Sequence, residues 1–183
     1  MTAESFAAEG ELLSRIDELS TKYPRAESSS VSATRIRTAL SQFMESVRYL
    51  NTRRSETSLS LTSEAAVQDA LFLMLRPWVS DLVPETPTDR VASRFTIKDF
   101  RSAAARTIIE AKYVRDHDHG RQISRELHDD IETYRTDPLC EHLIFFIYDP
   151  DVHIPDRAAL ERQIEVERYY DGKRLHCYVI VMP

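Results

Sequence analysis

No stretch of this sequence approaches the run of about 18 consecutive apolar residues that a membrane-spanning helix needs. Its first residues, MTAESFAAEGELL, lack the basic start and apolar stretch of a signal peptide. The chain therefore reads as a soluble, cytoplasmic protein that does not span a membrane. Cysteine is nearly absent: Cys140 and Cys177 stand alone, without the CxxC spacing of a structural zinc site or the numbers of a disulfide framework. Both are expected to be buried thiols. No HExxH pair and no paired-cysteine motif is present, so the histidines of DHDHGRQISRELHDD do not read as a zinc hydrolase. Residues 116–119 read instead as a solvated turn between strand and helix. A helix-turn-helix or other separate basic reading module is also missing.

What is present is an ordinary globular composition. The chain has 183 residues, 42% hydrophobic and 30% charged, with a net charge of −6. That length suits one domain with at most a small extra module. The charge is unevenly spread. Residues 1–56 balance eight basic against eight acidic side chains, so the whole excess of acid falls on 57–183. Within that part the sign reverses over 90–125, where nine Lys/Arg surround only Asp99, Glu110, Asp116 and Asp118. Carboxylates inside a basic field suit a site that handles a polyanion through bound metal. They suit ordinary charge scatter on a solvated surface equally.

The apolar pattern divides the chain into elements. Phe6, Leu12, Leu13, Ile16 and Leu19 recur at helical spacing up to Pro24, and a second helix is predicted from about Ser32 to Asn51 on the stripe Ile36, Leu40, Phe43, Val47 and Leu50. Two such helices cannot cover both stripes between themselves, so residues 1–56 read as a helical assembly or regulatory module. Residues 57–183 read as the main domain. A capped helix begins at Thr62 or Ser63 and ends near Pro77. Strands follow at 79–85, 93–100 and 106–114, then a helix over about 120–134 with Ile123, Leu127 and Ile131 inward. HLIFFIYD (142–149) has the unbroken apolar run of a strand buried on both faces. A short helix at 156–167 and a strand at 175–182 close the chain. The fold class is α/β, with a central strand reached by a helical crossover.

Chemistry concentrates at three residues. Glu110 and Lys112 lie two apart on a strand and so share a face, and a short connection can bring Asp99 beside them. Two carboxylates offer oxygen ligands to a hard ion such as Mg²⁺, and a lysine beside it can act on an attacking water or offset charge on a phosphate. That combination points to phosphodiester hydrolysis. A surface strand with alternating charges accounts for the same residues. His128-Asp129 superficially matches the HD phosphohydrolases, which are all-helical, and strands flank this segment.

The segment KDFRSAAARTIIEAKYVR resembles the PD-(D/E)XK nuclease signature, an Asp ahead of a hydrophobic strand ending in Glu-x-Lys. With EAAVQDALFLML, DLVPETPTDRVASRFTIKDF, a helix containing DDIETYR, EHLIFFIYDP and the closing VIVMP, the chain over about 60–183 resembles the DpnII/MboI-like restriction endonuclease domain family. SRFTIKDF carries more residues between Ser93-Arg94 and Asp99 than the family's usual pattern. The resemblance implies a restriction-endonuclease-like αβββαβ core with a mixed sheet flanked by helices, plus the N-terminal helical extension. It implies that Asp99 and Glu110 bind Mg²⁺, with Mn²⁺ able to substitute, that the Ala111 carbonyl is a further ligand, and that Lys112 acts on the water. Glu64 matches a position where related nucleases place a carboxylate, and it also suits a capping box. Arg94, Arg115, Arg121, Gln122 and Tyr134 are the expected substrate contacts; Arg121, Gln122, Asp130 and Tyr134 lie on the crossover helix, the last two sharing a face, and suit orienting the site or packing the helix as well as touching phosphate. The function implied is a metal-dependent DNA endonuclease of a bacterial restriction or anti-phage defence system. It would act as a homo-oligomer or with a sensor or regulatory protein. The competing class is a catalytically silent scaffold of nuclease fold that docks through its N-terminal helices.

Overall fold

Strand-forming segments separated by helical ones assemble into one mixed sheet in a computed structural model, which describes residues 31–52, 58–84, 100–170 and 172–183. The strands are β1 (Leu82–Pro84), β2 (Phe100–Ser102), β3 (Thr107–Tyr113), β4 (His142–Tyr148), β5 (Arg168–Tyr170) and β6 (Lys173–Met182), in the order β1-β2-β3-β4-β6-β5. The first three form an antiparallel meander, β3, β4 and β6 run parallel, and β5 is antiparallel to β6. The helices are α1 (Ala33–Ser41), α2 (Phe43–Thr52), α3 (Glu64–Leu75), α4 (His117–Tyr134) and α5 (Arg157–Ile164). From α3 onward this is the αβββαβ core expected of the sequence. The helix predicted around Phe6 to Leu19 and most of the predicted strand 93–100 lie outside the described residues.

Strand alternation sorts the core into two layers. β3 turns Ile109 and Ala111 toward α1, α2 and α3, and Ile108 toward α4 and α5. Glu110 and Lys112 share the parity of Ile108 and so face α4. β4 is buried across residues 143–147, as its unbroken apolar run demands, and it pairs in parallel on both sides.

Two turns fix the register. Asp81 accepts from the Ser102 hydroxyl at 2.9 Å and from the Ala104 amide at 2.7 Å, which braces the turn between β2 and β3. The β5–β6 hairpin, which the sequence reading did not include, turns at Gly172 with φ of +79°. The Asp171-Gly172 pair in the sequence is a signal for such a turn.

The helical stripe assigned from sequence to a separate module is part of this core. Ile36, Leu40, Phe43 and Val47 are buried with Ile144, Phe146 and Ile180, and the Phe43 ring meets Phe146 edge-on at 5.0 Å. The predicted single helix is two, broken at Gln42, whose N–H reaches back to the carbonyls of Ala39 and Leu40. The stripe needed cover, and the sheet supplies it.

α4 begins three residues before its predicted start because Asp116 caps it, accepting from the His119 amide at 2.8 Å. Its first turn lies against the loop after β4. A Cβ on Gly120 would fall 2.6 Å from the carbonyl carbon of His153, so only glycine permits this approach. The loop is held by Asp149, a fully buried carboxylate that accepts from the amides of His153 (2.8 Å) and Ile154 (3.1 Å).

Phe43→Ala is expected to cost about 3–5 kcal/mol by urea denaturation, and a chain beginning at Ser58 should fail to unfold cooperatively. Gly120→Ala should lower stability by about 1–3 kcal/mol through overpacking, against alanine's better helix propensity.

Candidate active site

The pair of residues that shares the α4 face of β3 is closed into a network. Glu110 is buried, and its Oε1 accepts from Lys112 Nζ at 3.0 Å while its Oε2 accepts from the Tyr134 hydroxyl at 2.6 Å. Lys112 Nζ also lies 3.0 Å from Asp130 Oδ2. Asp130 and Tyr134 are four residues apart on α4, so one helical stripe grips both halves of the strand pair. Across the sheet the partners are apolar: Glu110 is registered with Phe145 and Lys112 with Ile147.

Burial sets the electrostatics. Loss of water pushes the Glu110 carboxyl up to about 7, against the pull of Lys112 and the Tyr134 hydrogen bond, and with Asp130 adding to the rise. Burial pulls Lys112 down, but Glu110 and Asp130 together outweigh it and hold the amine above its ordinary range. Asp130 is raised by burial, with Lys112 opposing.

Lys112 opens on a cleft of about 490 Å³ at the C-terminal end of β3, lined by Thr62, Ser63, Glu64, Tyr113, Arg115, His119 and Glu126. Three elements meet there. Ser63 is the N-cap of α3, accepting from the Ala66 amide at 3.2 Å, which makes Glu64 the first helical residue and not the reciprocal partner of a capping box. Glu64 is thereby placed on the rim of the cleft that holds Lys112. Arg115 follows β3, and its amide donates to His119 Nδ1 at 3.3 Å, while His119 Nε2 lies 3.4 Å from Glu126.

The other residues singled out from sequence fall differently. Tyr134 is fully buried and holds Glu110, so it is not a surface for substrate. Arg121 pairs with Asp118 and lines a separate groove between α4 and α5. Gln122 is exposed on α4, one turn before Glu126 on the stripe that leads to Asp130. Ala111 is buried on the opposite face of β3. Asp99 and Arg94 lie outside the described residues. His119, expected in a solvated turn, and Glu126 are also cleft residues. Their signal was the spacing of four from Gln122 through Glu126 and Asp130 to Tyr134, together with the Asp116 cap that turns His119 inward.

The donors offered here are oxygens, as a hard divalent ion prefers. A carboxylate disfavoured by burial beside one lysine is also what such an ion would stabilise. Among the described residues no three of the His, Cys, Asp and Glu side chains stand close enough to hold a metal by themselves. No described helix is long and apolar enough to cross a membrane. Cys140 and Cys177 are buried thiols outside any disulfide, and burial pushes the Cys177 thiol up to about 11, away from nucleophilic use.

Comparison with protein families matches residues 34–183 to the DpnII-MboI model, REase_DpnII-MboI. Comparison with curated proteins and with solved structures returns no match. Restriction endonucleases of this family generally use divalent metal ions. The match spans α1 through β6, with the buried Glu-x-Lys pair and its cleft inside it, and the chain belongs to the DpnII-MboI restriction endonuclease family, within the PD-(D/E)XK-like superfamily of DNA-cleaving enzymes.

Proposed function

We propose that this chain is a metal-dependent DNA endonuclease that hydrolyses phosphodiester bonds with Mg²⁺, or Mn²⁺ in its place, held by Glu110, Asp99 and the Ala111 carbonyl, with Glu64 completing the set. The observation that carries the reading is the buried pair of Glu110 and Lys112, 3.0 Å apart, of which Lys112 lines a cleft rimmed by Glu64 and Arg115. Asp99 enters by sequence: it precedes Phe100, whose Cα is registered against Ile109, the neighbour of Glu110. The ion supplies Lewis-acid stabilisation of the phosphate and a more acidic water.

The chain's own residues do the rest. Lys112 lines the cleft, where its amine orients the attacking water and offsets charge on the phosphate oxygens. Glu110 is held by Tyr134 with its carboxylate fixed on the α4 side. Arg115 meets the DNA backbone at the cleft mouth, and Arg94 is a second contact. Arg121, paired with Asp118 in another groove, takes a lesser part. Each chain offers one such site, so cutting both strands calls for two copies acting together. We further assign the enzyme to a cytoplasmic restriction or anti-phage defence system, working with a regulatory protein.

Plasmid cleavage tests the reading. Cleavage should require Mg²⁺ or Mn²⁺ and stop in excess EDTA, and Glu110→Gln should abolish it together with metal affinity. Lys112→Ala should lower turnover by roughly 10²-fold while sparing most metal binding. Undiminished cutting in EDTA would overturn the proposal. For DNA affinity measured against salt, Arg115→Ala should reduce the log–log slope by about one unit. Arg174→Ala should leave it unchanged, since that residue pairs with Glu167 at the far edge of the sheet.

A further inference from the structure

Lys112 carries three N–H donors on a flexible four-carbon stem. Glu110 Oε1 accepts one at 3.0 Å, Asp130 Oδ2 stands 3.0 Å from the amine as an ion pair, and the amine faces the cleft with its side chain 14% exposed. The two carboxylates differ in what else they must do. Glu110 stands on the same strand, is gripped on its other oxygen by Tyr134, and is the carboxylate that the proposed function gives to the metal. A ligand role competes for the oxygen that holds Lys112. Asp130 comes from α4, has no part in that ligand set, and lies between Leu127 and Ile131 of the buried face, its side chain 18% exposed. A carboxylate costs stability in such a place unless it is paired, and Lys112 is its pairing.

We propose that Asp130 is the positioning residue for Lys112: it keeps the amine over the cleft while Glu110 serves as a ligand, so that α4 sets the geometry of the reaction without touching substrate. The inference rests on the assignment of Lys112 to the attacking water. It gives the crossover helix a second task besides covering the sheet, since Tyr134 orients the carboxylate and Asp130 the amine from one stripe. Truncating such a supporting partner typically lowers activity by roughly 10–100-fold.

The test uses the full chain, with plasmid DNA and Mg²⁺. Asp130→Asn, which keeps the shape and removes the charge, should lower kcat by roughly 10–100-fold and leave KM for DNA within about twofold. Mg²⁺ affinity by calorimetry should stay within the same twofold. In a Lys112→Ala background the same substitution should have no further effect on kcat, because the residue through which it acts is gone. An equal loss in both backgrounds would overturn the inference and assign Asp130 a general structural role. So would a wild-type kcat in Asp130→Asn. The wild-type enzyme separates the two claims: if it cuts and Asp130→Asn cuts equally well, only the positioning role falls, whereas no Mg²⁺-dependent cutting by the wild type removes the proposed function as well.

Discussion

Glu110 and Lys112 sit side by side on β3 beneath a helix, with apolar neighbours Phe145 and Ile147 on the next strand. Two charges withdrawn from water in such surroundings are expensive unless every remaining donor and acceptor finds a partner. Much of the architecture answers that demand. α4 must lie on this face of the sheet, in a register that presents Asp130 to the amine and Tyr134 to the carboxylate. Ile123, Leu127 and Ile131 hold the helix there by burying its apolar stripe against β3 and β4. The polar and apolar residues of one helix thus serve one placement, and neither set would fix it alone.

The sheet's mixed topology then decides where the pair meets solvent. β3 is antiparallel to β2 but parallel to β4, so its C-terminal end is free to lead directly into the crossover helix. The cleft opens at the C-terminal end of β3. The starts of α3 and α4 frame it, each secured by a side-chain cap, Ser63 in one case and Asp116 in the other. Helix N-termini carry partial positive charge, and with Lys112 and Arg115 they offset the carboxylates of Glu64 and Glu126 at the mouth of the cleft.

Much of this was legible in the sequence because it is written in periodicity. The period of two put Glu110 and Lys112 on one face, the apolar run at 142–149 marked a strand buried on both sides, and the period near four placed Ile123, Leu127 and Ile131 inward. The signature around residues 99–112 carried the family. What escaped reading depends on contacts distant in sequence. The stripe of Ile36, Leu40, Phe43 and Val47 signals that something must cover it, but not that Phe146, about a hundred residues later, does so. Tyr134 resembled a substrate contact because a tyrosine on a covering helix has the same pattern whether its hydroxyl faces out or in. Arg121 and Arg115 are alike as sequence, and only the start of α4 at His117 separates a groove-lining residue from a cleft-lining one.

The close approach of Gly120 to the His153 carbonyl makes α4 a ruler. The loop it abuts is anchored by Asp149, which is itself tied to the last strand through its amide and the Met182 carbonyl. With its first turn stopped there, the helix measures out ten residues to Asp130 and four more to Tyr134, at about 1.5 Å and 100° each. Gaining or losing one residue within that span would swing both side chains off their partners even if the helix itself remained intact. Length, more than composition, is what this helix has to preserve.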